Sequence, residues 1–302
     1  MNIPYGPSPF AQGANPEECQ YISLLYNVMD TGTYVKDRTG VGCLTKFGTS
    51  MRFSLRDNTL PLFTTKKVFF KGVVEELRWF LRGETSSKSL NERGVKIWDG
   101  NATREFLDMN GFKDRDEGDL GPIYGFQWRH FGAPYLRSDV DYTGMGVDQI
   151  AKLIENIRTN PNSRRHILTA WNPTDIGNMA LPPCHILAQF HVCHGELSCL
   201  LYQRSADLGL GVPFNVASYS LLTHLIAKFT GLKAGEFIHV MGNTHIYMNH
   251  IMSLQEQMSR IPKAFPKLYI RRSARSIDEW QMSDLELEGY SPHPPIPMAL
   301  AI

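Results

Sequence analysis

The stretch from Phe214 to Thr230 (FNVASYSLLTHLIAKFT) constrains this chain more than any other. Read at helical spacing it is apolar nearly all round, and Gly231 follows where a helix would end. A helix without a polar face has to be covered by other elements, so it belongs in a core. With 302 residues the chain is long enough to bury one, as one large domain or two modest ones. The stretch is not a membrane span, because Asn215, His224 and Lys228 interrupt the longest apolar-rich run, Pro213 to Leu232.

Further helices are predicted around it. Val73, Val74, Leu77, Phe80 and Leu81 recur at helical spacing, with Gly83 just beyond the end. Val147, Ile150, Leu153, Ile154 and Ile157 do the same before Asn160-Pro161 stops them, and a last helix runs from about His245 to Arg260, closed by Pro262. β-rich runs lie at 46–55, 166–171, 185–192, 197–205 and 265–272, with a short His-Gly-Glu turn between the third and fourth. No Pro/Gly/Ser linker splits the chain. The expectation is an α+β fold: a single domain with a large mixed β-sheet packed with helices. Residues 1–16 are rich in Pro and Gly without apolar periodicity and read as a flexible tail before a domain at 17–302.

Charge narrows the function. The chain has 31 Lys+Arg against 30 Asp+Glu, a formal +1, whereas a protein that coats nucleic acid usually carries a strong basic excess. The N-terminus has neither a basic n-region nor an apolar h-region. Cys19, Cys43, Cys184, Cys193 and Cys199 form an odd set without a paired framework, which suits a reducing compartment. The expectation is a cytoplasmic enzyme.

Cys184 follows Leu-Pro-Pro and precedes His185. Two prolines stiffen the approach to the thiol, which is either a nucleophile or a buried structural cysteine. His185 is a candidate base, although neighbouring strand residues face opposite sides. His191, Cys193, His194 and Cys199 cluster without a CxxC, and no metal site is expected there. Arg38 lies in a turn-like Asp-Arg-Thr-Gly, Arg164 and Arg165 follow a helix end, and Gln203-Arg204-Ser205 closes a strand. Guanidinium groups and a serine hydroxyl suit a phosphorylated small substrate, though each arginine alone fits a solvated surface. The glycine pairs Gly40/Gly42 and Gly144/Gly146 lack the dinucleotide and Walker patterns, so no NAD or ATP is expected. Glu76, inside an apolar helix, is either solvated or a buried acid of raised pKa. Trp98, Asn101, Tyr124 and Trp128 could stack a flat ring or simply fill the core.

These segments resemble the folate-dependent thymidylate synthase family over nearly the whole chain from Tyr21. The likeness is carried by Asp37-Arg-Thr-Gly40, Thr64-Thr-Lys66, Glu76-Leu-Arg-Trp79, Lys96-Ile-Trp-Asp99, Leu120–Arg129, Ser163-Arg-Arg165, Leu181-Pro-Pro-Cys-His185, Tyr202–Asn215 and His245-Ile-Tyr247, in this order. The resemblance implies a homodimer that makes dTMP from dUMP, with methylenetetrahydrofolate giving both carbon and hydride. It implies that Cys184 adds to carbon 6 of the uracil, and that Glu76, His185, Tyr124 and Asp207 assist. Arg38, Gln203, Arg204 and Ser205 of one subunit, with Arg164 and Arg165 of the other, would bind dUMP and its phosphate. Asn215 would read uracil, and His245 and Tyr247 the ribose. Trp98, Asn101, Asp207 and a closing tail ending at Ile302 would meet the folate. An Asp in place of Asn215 would suit cytosine and a deoxycytidylate hydroxymethylase instead.

Two residues depart from the family pattern: Asn243 replaces an Asp in Gly-Asp-x-His-x-Tyr, and Arg78 interrupts the apolar run beside Glu76. Neither stands at a position implied to be catalytic. No dihydrofolate reductase segment flanks the likeness, so a monofunctional enzyme is expected. An RNA-binding relative is the reading from another class.

Overall fold

The computed structural model describes residues 15–271 and 275–301. Its first helix, α1 (Pro16–Thr31), starts where Asn15 Oδ1 accepts from the N–H groups of Glu17 and Glu18. Pro16 sits in the first turn, where no donor is needed, so it belongs to the helix rather than to the predicted tail. The rest of that tail, residues 1–14, lies outside the described residues.

After α1 come β1 (Thr33–Val35), β2 (Cys43–Ser54), α2 (Phe70–Leu81), α3 (Ser87–Glu92), α4 (Arg104–Met109), α5 (Tyr124–His130) and α6 (Gln149–Thr159). Then follow β3 (Ile167–Thr169), β4 (His185–Cys193), β5 (Glu196–Asp207), α7 (Gly211–Thr230), β6 (Lys233–Tyr247), α8 (Ile251–Met258), β7 (Lys267–Ile270) and β8 (Leu285–Glu288). Six strands form one sheet in the order β1-β2-β6-β5-β4-β3, and β7 pairs with β8 in a small second one. Within the large sheet β5 and β6 run parallel while the other pairs are antiparallel, the mixed sheet that the interleaved hairpins and helices predict.

α7 is the crossover between parallel β5 and β6. It is buried at Val212, Pro213 and every residue from Val216 to Ala227, as its all-round apolar sequence requires. Gly231 ends it at φ +75°, a left-handed conformation that a residue with a Cβ resists. The sheet covers one side of α7, and α2 and α6 cover others.

The sequence reading names no helix at α1, α3, α4 or α5 and no strand at β1 or β8, and two longer elements differ from it as well. The last helix begins at Ile251, not near His245, because residues 245–247 end β6. β6 itself, the longest strand, was not predicted. It is paired on both edges, by β2 and β5, yet Gly235 and Gly242 and the buried polar His239, Thr244 and His245 break its apolar alternation.

Candidate active site

The C-terminal ends of β5 and β6, the loop before β4 and one face of α2 surround a cavity of about 830 Å³. Cys184 lines it, and the Pro-Pro segment is held from the side. Arg204 donates from Nε to Pro183 O at 2.8 Å and from Nη2 to Pro182 O at 2.8 Å, while its backbone N–H meets Cys184 O at 2.8 Å. The arginine thus fixes the thiol's loop. The Cys184 N–H donates to Tyr124 Oη at 2.7 Å. Burial pushes the Cys184 thiol up, opposed by the guanidinium groups of Arg204 and Arg38.

Behind the thiol lies an aromatic, buried wall. Gly125 lets α5 press against α2, since a Cβ there would come within 2.8 Å of Phe80 O, and this sets Tyr124 in place. The Tyr124 ring stacks on His185 at 4.1 Å between centroids. His185 Nδ1 lies 2.7 Å from Tyr219 Oη, and burial drives its pKa down to about 3, with His239 adding to the effect. His185 is therefore a neutral ring at physiological pH, and so low a pKa makes it a weak base beside Cys184. Glu76 is buried, with one donor: Trp98 Nε1 at 2.8 Å from Oε1. Burial raises it to about 7, and the tryptophan bond opposes the rise only in part. Of the two sequence readings, the buried acid of raised pKa holds.

Asp207, at the end of β5, is treated differently. The N–H of Gly209 donates to Oδ1 at 2.8 Å, those of Leu210 and Gly211 reach Oδ2 at 3.2 and 3.4 Å, and His250 Nδ1 stands 3.7 Å away. Burial alone would raise this carboxyl, but His250 and the backbone donors hold it below the usual carboxylate range. Gly209 has no room for a Cβ, which would fall 2.5 Å from His250 Nδ1. The last described residues cross the mouth: Ala299 O accepts from His250 Nε2 at 2.7 Å, and Ile296, Met298, Leu300 and Ala301 line the cavity. Ile302 lies outside the described residues.

Arg38, Ser205, Asn215, His245, Tyr247, Trp98 and Asn101 also line the cavity. The turn that carries Arg38 is tied by Asp37, whose carboxylate accepts from Thr39 Oγ1 at 2.8 Å and Gly42 N–H at 2.9 Å. Gln203 Nε2 donates to Asn215 Oδ1 at 3.1 Å. Arg164 and Arg165 are not brought here; both are exposed and have no ion-pair partner among the described residues. The His/Cys cluster disperses around the β4–β5 turn, with Cys199 facing the core and His191, Cys193 and His194 exposed.

Sequence reasoning missed Lys66, His250, Tyr219 and Asn243. Lys66 is buried, donates from Nζ to Gly209 O at 2.6 Å, and is brought down to about 8 by burial against the pull of Asp207. A cation in a short Thr-Thr-Lys run carries no sign of burial. Asn243 lines the cavity and pairs with His245 Nδ1 at 3.0 Å, so that departure does touch an implied substrate contact. Arg78 instead pairs with Glu75 at 3.0 Å, and its guanidinium lies 5.9 Å from the Trp280 ring centroid, away from the site.

Comparison with known proteins places this geometry. The family described as thymidylate synthase matches residues 19–302. A thymidylate synthase of Saccharomyces cerevisiae is 55% identical over 300 residues, covering 96% of this chain and 99% of that protein. One of Homo sapiens is 56% identical over 94% of this chain and 91% of its own, and one of Ascaris suum 57% over 95% and 98%. A match across almost the whole length, with relatives more than half identical from end to end, makes this chain a member of the thymidylate synthase family.

Proposed function

We propose that the cavity methylates dUMP at carbon 5 to give dTMP, with Cys184 bonded to carbon 6 during the reaction. One observation carries this reading: a thiol, a set of cations, an amide pair and a buried acid near neutral pKa all line the same 830 Å³ cavity. Arg38, Arg204 and Ser205 bind the phosphate. Asn215 pairs with the uracil edge, accepting from N3–H and donating to O4. The Cys184 thiolate adds to carbon 6, and the ring's π electrons move toward carbon 5 and O4, where the Asn215 N–H stabilises the charge. After carbon 5 has gained its substituent and lost its proton, the sulfur–carbon bond breaks and the thiolate returns.

Methylenetetrahydrofolate supplies the carbon and the hydride and leaves as dihydrofolate. The residues present fit it: Trp98, Ile97, Leu181 and Phe214 give an apolar, partly aromatic side, and the exposed Lys67 offers a cation for a carboxylate tail. Glu76, near neutrality, exchanges protons with this side of the cavity through water. The tail across the mouth keeps bulk water from the bound intermediate.

The site is completed in a homodimer, with Arg164 and Arg165 entering the partner's phosphate pocket. Two features support this. Both arginines are exposed and without an ion-pair partner among the described residues, and the sheet presents outward-facing Ile167 (44% exposed) and Leu200 (37%) on either side of Gln189 in one register row that continues to Ile238. An exposed row that is apolar apart from one amide suits a self-complementary interface.

Mass spectrometry of products formed from dUMP or dCMP with methylenetetrahydrofolate tests the reaction. dTMP with dihydrofolate is expected, and hydroxymethyl-dCMP would reject the Asn215 reading. Cys184→Ser is expected to lower turnover by about 10⁴-fold or more while dUMP still binds. Mixing Arg164→Ala with Cys184→Ser subunits is expected to restore about a quarter of wild-type activity, the share of intact sites from random pairing. No recovery in verified mixed dimers would reject the shared site.

A further inference from the structure

An asparagine does not by itself tell uracil from cytosine. Turned one way its carboxamide accepts from N3–H and donates to O4 of uracil; turned over, it donates to N3 and accepts from the amino group of cytosine. Something has to fix the turn. In this structure Gln203 does so, since its Nε2 donates to Asn215 Oδ1 at 3.1 Å and marks that atom as the oxygen. Gln203 is an amide too, and it needs a lock of its own.

Two groups provide one. The backbone oxygen of Ser205 only accepts, and it lies 2.9 Å from Gln203 Nε2. Gln203 Oε1 therefore faces the other way, toward His239 Nε2 at 2.8 Å. Because Oε1 only accepts, Nε2 of His239 is the ring's donor. We propose that His239 is a positioning residue for base choice: its Nε2–H holds the Gln203 carboxamide, and through it the Asn215 carboxamide, in the orientation that reads uracil. The inference rests on the proposed role of Asn215.

His239 is fully buried in β6 and does not line the cavity, so it touches no substrate. Its Nδ1 is buried without a hydrogen-bond partner among the described residues. A phenylalanine or leucine filling the same space would avoid that cost, so packing alone gives no reason for an imidazole here. Burial holds the ring neutral, with a pKa brought down to about 3, which leaves a single N–H to assign. That hydrogen goes to Nε2.

The test is the ratio of dUMP to dCMP affinity, measured by titration calorimetry on wild type, His239→Phe, His239→Leu and His239→Gln. The apolar variants are expected to lose about tenfold in the ratio, the worth of one buried hydrogen bond, by weaker dUMP and stronger dCMP binding. Glutamine, whose amide N–H can occupy the place of Nε2–H, is expected to restore it. A folded Phe or Leu variant with the wild-type ratio, or with equal losses for both nucleotides, would overturn the proposal. Nitrogen-15 NMR of the wild-type imidazoles needs no variant: His239 protonated on Nε2 is expected, and protonation on Nδ1 overturns it. A wild type that binds dCMP as well as dUMP would instead reject the reading of Asn215 beneath it.

Discussion

Glu76 and Asp207 face one cavity from opposite sides, and their surroundings drive their acidities apart. Glu76, on α2, is 6% exposed and has the single indole N–H of Trp98. Asp207, at the end of β5, keeps 20% of its side chain exposed, accepts from three backbone N–H groups and sits near His250. The first is raised to about 7 and the second is held below its ordinary value. The number of donors and the access of water, rather than membership of the same cavity, decide which carboxyl trades protons and which stays an anion.

Replacing Glu76 with Gln should break the comparison on its reactive side. Turnover is expected to fall about 10²- to 10⁴-fold with dUMP affinity nearly kept, and the limb of the pH–rate profile near pH 7 should vanish. A limb that survives would assign it to another group. Stability should move the other way. Between pH 4.5 and about 7 the native state holds a proton that the unfolded chain releases, so Glu76 makes stability fall as pH rises through that window. Above it the cost is on the order of 3 kcal/mol. Chemical denaturation at about pH 8 should find Glu76→Gln more stable than wild type, and at about pH 4 nearly equal.

Asp207→Asn should give the opposite sign. A carboxyl held below its ordinary value stabilises the fold above the unfolded pKa and loses that contribution as pH falls through the native one. The variant is expected to lose about 1–3 kcal/mol at neutral pH, because an amide oxygen is a weaker acceptor for the N–H groups of Gly209, Leu210 and Gly211 and offers His250 no negative charge. Its acid unfolding should also be flatter than that of wild type. A neutral-pH stability equal to wild type would place the anion's partners elsewhere.

The same contrast explains what the sequence could tell. α7 was legible because an all-round apolar helix has only one kind of place to be, and the segment around Cys184 because Pro-Pro announces a rigid approach. The motifs from Asp37 to Tyr247 carried the family, and the site residues they implied line one cavity, apart from Arg164 and Arg165. What stayed hidden depends on burial. Glu76 reads as solvated or buried until Trp98 is seen to reach it. Neither Lys66 nor His250 carries a sequence mark of burial, yet both are buried around the Asp207 turn. β6 went unread for the same reason, since its buried His239 and Thr244 find their side-chain partners, Gln203 and Thr49, across strands that folding brings together.

The smallest expected effect is the most diagnostic. If the scarcity of donors keeps Glu76 near neutrality, removing its one donor should take the carboxyl further from Asp207, not closer. Trp98→Phe keeps an aromatic ring against Trp79 and Tyr124 but removes the N–H that stands 2.8 Å from Oε1. A hydrogen bond to a charged group is worth about 1.5–3 kcal/mol, so the midpoint of the limb in kcat/KM should rise by about one pH unit from its place near 7. The rise is capped by water, which the smaller ring would admit and which would give back part of what the indole supplied. A midpoint that falls would mean that water solvates Glu76 better than tryptophan does. The buried wall would then raise the acid by keeping water out, with the indole bond a minor correction, and exposure alone would separate the two carboxyls.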